Sequence, residues 1–160
     1  MYLLLDSIRK AEIAGKGKSE ENLVKGVLES LKARLPYMDF ARRPDARAGR
    51  GVGAQPSDFE ALVSGTQFEI EVKSTKSINT IPYKNLSQLG MLRRRRMAGA
   101  KVIILIYRAR ERAWCVPDFD WLLETHRPEE RASWNLSELK LYPTVGVPLT
   151  KALGLGELIE

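Results

Sequence analysis

After Ser19 the chain reads EENLVKGVLESLKARL, in which Leu23, Val24, Val27, Leu28, Leu31 and Leu35 recur at three- and four-residue spacing. That period puts an apolar stripe on one side of a helix. With Ser19 as N-cap and Pro36 as stop, it predicts a helix over 20–34. The segment ARRPDARAGRGVGAQ (41–55), with four arginines, three glycines and no periodicity, predicts a mobile basic loop. The pattern then changes to period two, giving strands at about 57–63 and 66–74 around Ser64-Gly65. A helix is expected at about 84–98. KVIILIY (101–107) is a continuous apolar run, as in a central strand covered on both faces. AWCV (113–116) predicts a further strand and DFDWLLETH (118–126) a short helix. VGVPLTKALGLGELIE shows no partner element and is expected to be a C-terminal tail over about 143–160, docked on a second subunit or frayed. The order predicts an α/β fold, a mixed central β-sheet flanked by helices, in a single domain over 1–160.

The register of the hairpin concentrates charge. With a two-residue turn at Ser64-Gly65, Val63 pairs with Thr66 and Asp58 falls opposite Glu71. Alternation sends Phe59, Ala61, Val63, Phe68, Ile70 and Val72 to one face and Asp58, Glu60, Glu69, Glu71 and Lys73 to the other. Like charges directly opposed in a sheet destabilise it, so Asp58 and Glu71 call for a cation. Oxygen ligands without His or Cys select Mg²⁺, with Mn²⁺ as substitute, over Zn²⁺. Glu60 and Glu69 also face each other, nearer the exposed turn, which favours a solvated pair over further ligands. Lys73 shares the acidic face, where its ammonium could hold a water and offset phosphate charge.

Composition narrows the chemistry. In 160 residues, 26 Lys and Arg outweigh 20 Asp and Glu, for a net charge of +6. Such a balance fits a polyanionic partner, and equally keeps a small domain soluble. One cysteine, Cys115, excludes an internal disulfide and a Cys-based zinc site, and one histidine, His126, disfavours Ser-His and His-metal chemistry. MYLLLDSIRK is too short an apolar run for a signal peptide or a membrane span. A cytoplasmic setting in a bacterial, archaeal or phage-infected cell is expected, without membrane association.

Asp58 in PSDF, with Glu71-Val72-Lys73 after twelve intervening residues, resembles the PD-(D/E)xK nuclease signature. The flanking order extends the likeness: a Gly/Lys-rich lead into a helix-borne Glu, the hairpin, the NLSQ helix with Gln88, then a buried strand. Over roughly residues 15–123 the chain resembles Holliday junction resolvases of the archaeal and RecU types, including phage-encoded ones. The resemblance implies a restriction-endonuclease-like core and a homodimer that makes paired, Mg²⁺-dependent incisions in four-way DNA junctions. Loop 41–55 has no clear counterpart there and is shorter than the stalk-bearing segment of the RecU type. Two other classes remain open: a PD-(D/E)xK restriction or repair nuclease acting on linear duplex or ends, and a non-enzymatic DNA-binding module.

The expected metal site comprises Asp58, Glu71, the Val72 carbonyl and Glu20, with Lys73 as the remaining catalytic residue. Glu20 is chosen over Glu21 because it lies on the apolar stripe and, as in those resolvases, precedes a Leu by three residues. DNA phosphates are assigned to Lys16, Lys18, Arg42, Arg43, Arg47, Arg50, Thr75 and Lys76, with Gln88 near the site. Arg93 to Arg96 spread over about 300° of helix, so at most two share a groove. Trp114, Trp121 and Trp134 are expected in core or interface more than as base-stacking platforms.

Overall fold

Ser19 Oγ accepts from the Asn22 amide at 3.4 Å and opens helix α1 (Glu20–Arg34). The helix closes where the Leu35 N–H reaches the Leu31 carbonyl, one residue before Pro36. A computed structural model describes residues 6–10, 19–44 and 55–156 of the chain. Residues 6–10 are helical. Lys16, Lys18, Arg47, Arg50 and most of the expected basic loop lie outside the described residues.

A five-stranded sheet is ordered β1-β2-β3-β5-β6, and a two-stranded sheet pairs β4 with β7. Strands β1 (Met38–Arg42), β2 (Phe59–Val63) and β3 (Thr66–Thr75) form an antiparallel meander. Ser64 and Gly65 have φ of 48° and 83°, as a two-residue turn with both central residues left-handed demands. Val63 pairs with Thr66 and Phe59 with Ile70, the register read from the sequence. The chain then passes through β4 (Thr80–Pro82), a 3₁₀ turn at Tyr83–Leu86 and helix α2 (Leu89–Met97). It returns as β5 (Lys101–Arg108), parallel to β3. β6 (Ala113–Cys115), α3 (Phe119–Thr125), β7 (Ser133–Asn135) and α4 (Gly146–Ala152) follow. The class is mixed α/β with a mixed central sheet flanked by helices.

Alternation along β5 explains how both faces are covered. Ile103 and Leu105 join Val24, Leu28 and Leu31 of α1, Leu149 of α4, and Phe59 and Ile70 of the hairpin in one apolar cluster. Ile104 and Ile106 join Leu92 of α2, Leu122 of α3, Ile81 and Trp134 in the other. Each fully buried Leu or Ile contributes roughly 1.5–3 kcal/mol. The segment expected to be a tail is corrected: α4 is an integral part of the first cluster, with Leu149 and Leu153 buried. Trp114 and Trp134 are core residues, 2% and 1% exposed.

Candidate active site

The central strand β3 carries acids where a doubly covered strand ordinarily carries apolar residues. Phe68 and Ile70 enter the α1 cluster, so Glu69, Glu71 and Lys73 point to the α2 side. Glu69 and Glu71 are 0% and 1% exposed. Asp58 lies one residue before β2. Its amide donates to the Ile70 carbonyl at 3.1 Å, and its Oδ2 accepts from the Val72 amide at 2.8 Å. These two bonds set Asp58 beside Glu71.

The two buried glutamates differ in their surroundings. Glu69 accepts from Arg43 Nη2 at 2.8 and 3.0 Å and from Ser57 Oγ at 2.5 Å, with Arg95 Nε 3.4 Å away. Both oxygens of Glu71 are buried and have no hydrogen-bond partner among the described residues. Lys73 Nζ lies 3.9 Å from Glu71 Oε1, beyond hydrogen-bond range. Burial, and after it the Asp58 carboxylate alongside, push Glu71 up to about 9, against a smaller opposing pull from Lys73 and the Val72 amide. An unpaired buried carboxylate is costly unless it is protonated or meets a cation.

The strand ends open into a cleft of about 500 Å³, bordered by Glu21, Arg42, Arg43, Ser57, Asp58 and Gln88. Glu21 comes from the α1 layer and Gln88 from the turn that leads into α2, so the two helical layers meet at this mouth.

Several expected site residues take other positions. Glu21, not Glu20, lines the cleft, and Glu21 Oε1 holds Arg42 Nη2 at 2.7 Å. The apolar stripe of α1 is directed at the core, so the residue that reaches the cleft lies on its flank. Glu60 and Glu69 are not a solvated pair: Glu69 is sealed and Arg43 bridges the two, 3.0 Å from Glu60. Arg43, its side chain only 12% exposed, is thereby committed to carboxylates and not presented to phosphate. Thr75 is buried; its hydroxyl donates to the Thr80 carbonyl at 2.9 Å and accepts from the Ser77 amide at 3.2 Å, which locks the β3–β4 turn. Lys76 is exposed and Gln88 half-buried on the cleft wall. Of the arginine run, Arg95 turns toward Glu69 and Arg96 toward Asp120, while Arg93 and Arg94 are exposed. Ser57 and Arg95 escaped sequence reasoning. The like-charge argument that singles out Asp58 and Glu71 applies equally to Glu60 and Glu69, and would have called for their arginines.

Among the described residues no three His, Cys, Asp or Glu side chains converge as a ready-made metal cage. Two neighbouring carboxylates, one with both oxygens unsatisfied, still fit Mg²⁺, which keeps several waters and binds through one or two carboxylates. No helix of the described residues is long and apolar enough to cross a membrane.

No family model matches the sequence, and no curated protein matches it. Among solved structures, the chain is similar to the 1.6 Å structure of Archaeoglobus fulgidus Hjc, a Holliday junction resolvase from an archaeal hyperthermophile. The identity is 23%, the TM-score 0.45, and the match covers 71% of this chain and 86% of that chain.

Proposed function

We propose that the protein is a Mg²⁺-dependent endodeoxyribonuclease that resolves four-way DNA junctions by paired phosphodiester hydrolysis. The observation that carries the metal-nuclease reading is the buried Glu71 carboxylate, neither oxygen hydrogen-bonded among the described residues, with Asp58 beside it and Lys73 at 3.9 Å. Asp58, Glu71 and the Val72 carbonyl would hold the cation, with Glu21 as the helix carboxylate nearest the cleft mouth. When bound, Mg²⁺ supplies Lewis-acid stabilisation of charge on the phosphate and on the leaving oxygen. The Lys73 ammonium holds the attacking water and offsets charge as the phosphodiester is opened in line. The Val72 amide fixes the Asp58 carboxylate in its working orientation. Exposed Lys76, and Arg42 once it leaves Glu21 at the cleft, would meet backbone phosphates. The junction as substrate is supported by the resemblance carried by Asp58, Glu71-Val72-Lys73 and Gln88, the last of which lines the cleft.

Incubation of four-way junction and linear duplex with Mg²⁺ or with chelator, for the native protein and Lys73→Ala, tests this reading. The native protein is expected to cut the junction only with Mg²⁺. Lys73→Ala should lose about 10²–10³-fold in rate while still binding DNA. Near-native cutting by folded Lys73→Ala, or cutting in chelator, would remove the metal-nuclease reading.

A further inference from the structure

On its acidic face β3 presents two buried carboxylates two residues apart: Glu69 is hydrogen-bonded, while Glu71 has no hydrogen-bond partner among the described residues and only Lys73 at 3.9 Å. Glu69 receives Arg43 and Ser57 in hydrogen bonds, with Arg95 at 3.4 Å. Its charge is thus compensated inside the protein, and it has no need of a metal. Its partners are nevertheless the immediate neighbours of Asp58. Ser57 precedes Asp58 in the chain and is itself 4% exposed; its hydroxyl lies 2.5 Å from Glu69 Oε2 and 2.9 Å from the Phe59 carbonyl. Arg43 binds Glu69 through its side chain while its backbone N–H donates to the Asp58 carbonyl at 2.8 Å. Glu69 therefore grips the Asp58 backbone from two sides, through the residue before it in sequence and through Arg43, the residue just after β1.

We infer that Glu69 is a positioning residue, whose carboxylate fixes Asp58 against Glu71 through Ser57 and Arg43 and so sets the affinity of the site for a divalent cation. This rests on the metal-nuclease reading above. The role differs from that of a second metal ligand, since both Glu69 oxygens are already engaged and the side chain is fully buried. It differs also from generic acidity. Glu60 shares Arg43 at 3.0 Å, but it is half-exposed and has no hydrogen bond to Ser57.

Calorimetric titration of Mn²⁺ into the full-length protein separates these roles without relying on turnover. Ser57→Ala removes one arm of the clamp without unbalancing charge and leaves the Arg43 arm in place, so it remains informative even if Glu69→Gln does not fold. Loss of a residue that orients a metal ligand costs about 10–100-fold in affinity, and Ser57→Ala should lie near the lower end, with a cooperative melt and native affinity for DNA. Glu69→Gln, where folded, should lose at least as much. Glu60→Gln leaves Ser57 and Glu69 bonded, and should change Mn²⁺ affinity by no more than about twofold, as a half-exposed ion pair contributes little. Native Mn²⁺ affinity in folded Ser57→Ala, or an equal loss in Glu60→Gln and Glu69→Gln, would overturn the positioning role and leave the metal site standing. Absence of Mn²⁺ binding by the native protein would overturn both.

Discussion

A carboxylate closed off from water, with neither oxygen hydrogen-bonded among the described residues, makes the metal-free protein sensitive to pH. Burial and Asp58 raise Glu71 from the ordinary 4.5 to about 9. Between those values the folded state holds a proton that the unfolded chain has released, so stability declines as pH rises through that window. Glu71→Gln should flatten the decline, which thermal melts at pH 5 and pH 8.5 in chelator would detect. Cation binding needs the ionised form, so Mg²⁺ should stabilise the native protein more at pH 8.5 than at pH 5. The gain is about 2.7 kcal/mol at a hundredfold excess over the dissociation constant, and it should vanish in Glu71→Gln. The helix acids form a second pair to separate. With Glu21 on the cleft, Glu21→Gln should cost about tenfold or more in cleavage rate and Glu20→Gln far less; the reverse order would return the role to Glu20. At this scale the sequence made Asp58 and Glu71 legible, because hairpin register alone opposes them. It did not reveal Glu69's burial, since Arg43 and Arg95 arrive from elements that only tertiary packing brings together.

Elements with strong local signals were readable before the structure. Helix α1 had its cap, stripe and stop, β5 its unbroken apolar run, and the β2–β3 hairpin its alternation around Ser64-Gly65. Elements held mainly by distant partners were not. β1 is a five-residue edge strand with only Met38 buried, and β4 and β7, three residues each, exist by pairing with one another. Helix α4 was hidden because Gly146 and Pro148 look like breakers, although Pro148 sits in the first turn, where a proline is tolerated. Its burial has a measurable consequence. Leu149 is 0% exposed in the α1-side cluster, so Leu149→Ala should lower unfolding free energy by about 2–5 kcal/mol in urea titration. A loss within experimental error would mean that this helix is a detachable appendage.

The molecule as a whole has one Asp58/Glu71/Lys73 set, and a four-way junction offers two scissile phosphates related by approximate two-fold symmetry. Paired cutting therefore requires two chains with matching symmetry. Light scattering should give twice the 18.1 kDa chain mass, and labelled junction should survive competition from excess linear duplex of the same sequence. A stable monomer that prefers linear duplex would defeat junction resolution while leaving metal-dependent hydrolysis intact. The parallel pairing of β3 with β5 has a further bearing on a protein that would cut DNA. Glu71 is matched with Ile104, thirty-three residues later in the chain, and parallel pairing across such separations is slow to form. A chain still emerging from the ribosome can hold Asp58, Glu71 and Lys73 yet lack the strand that shuts Glu71 away from water. If the chain cuts DNA as proposed, its site is incomplete until residues 101–108 have been synthesised and seated beside β3.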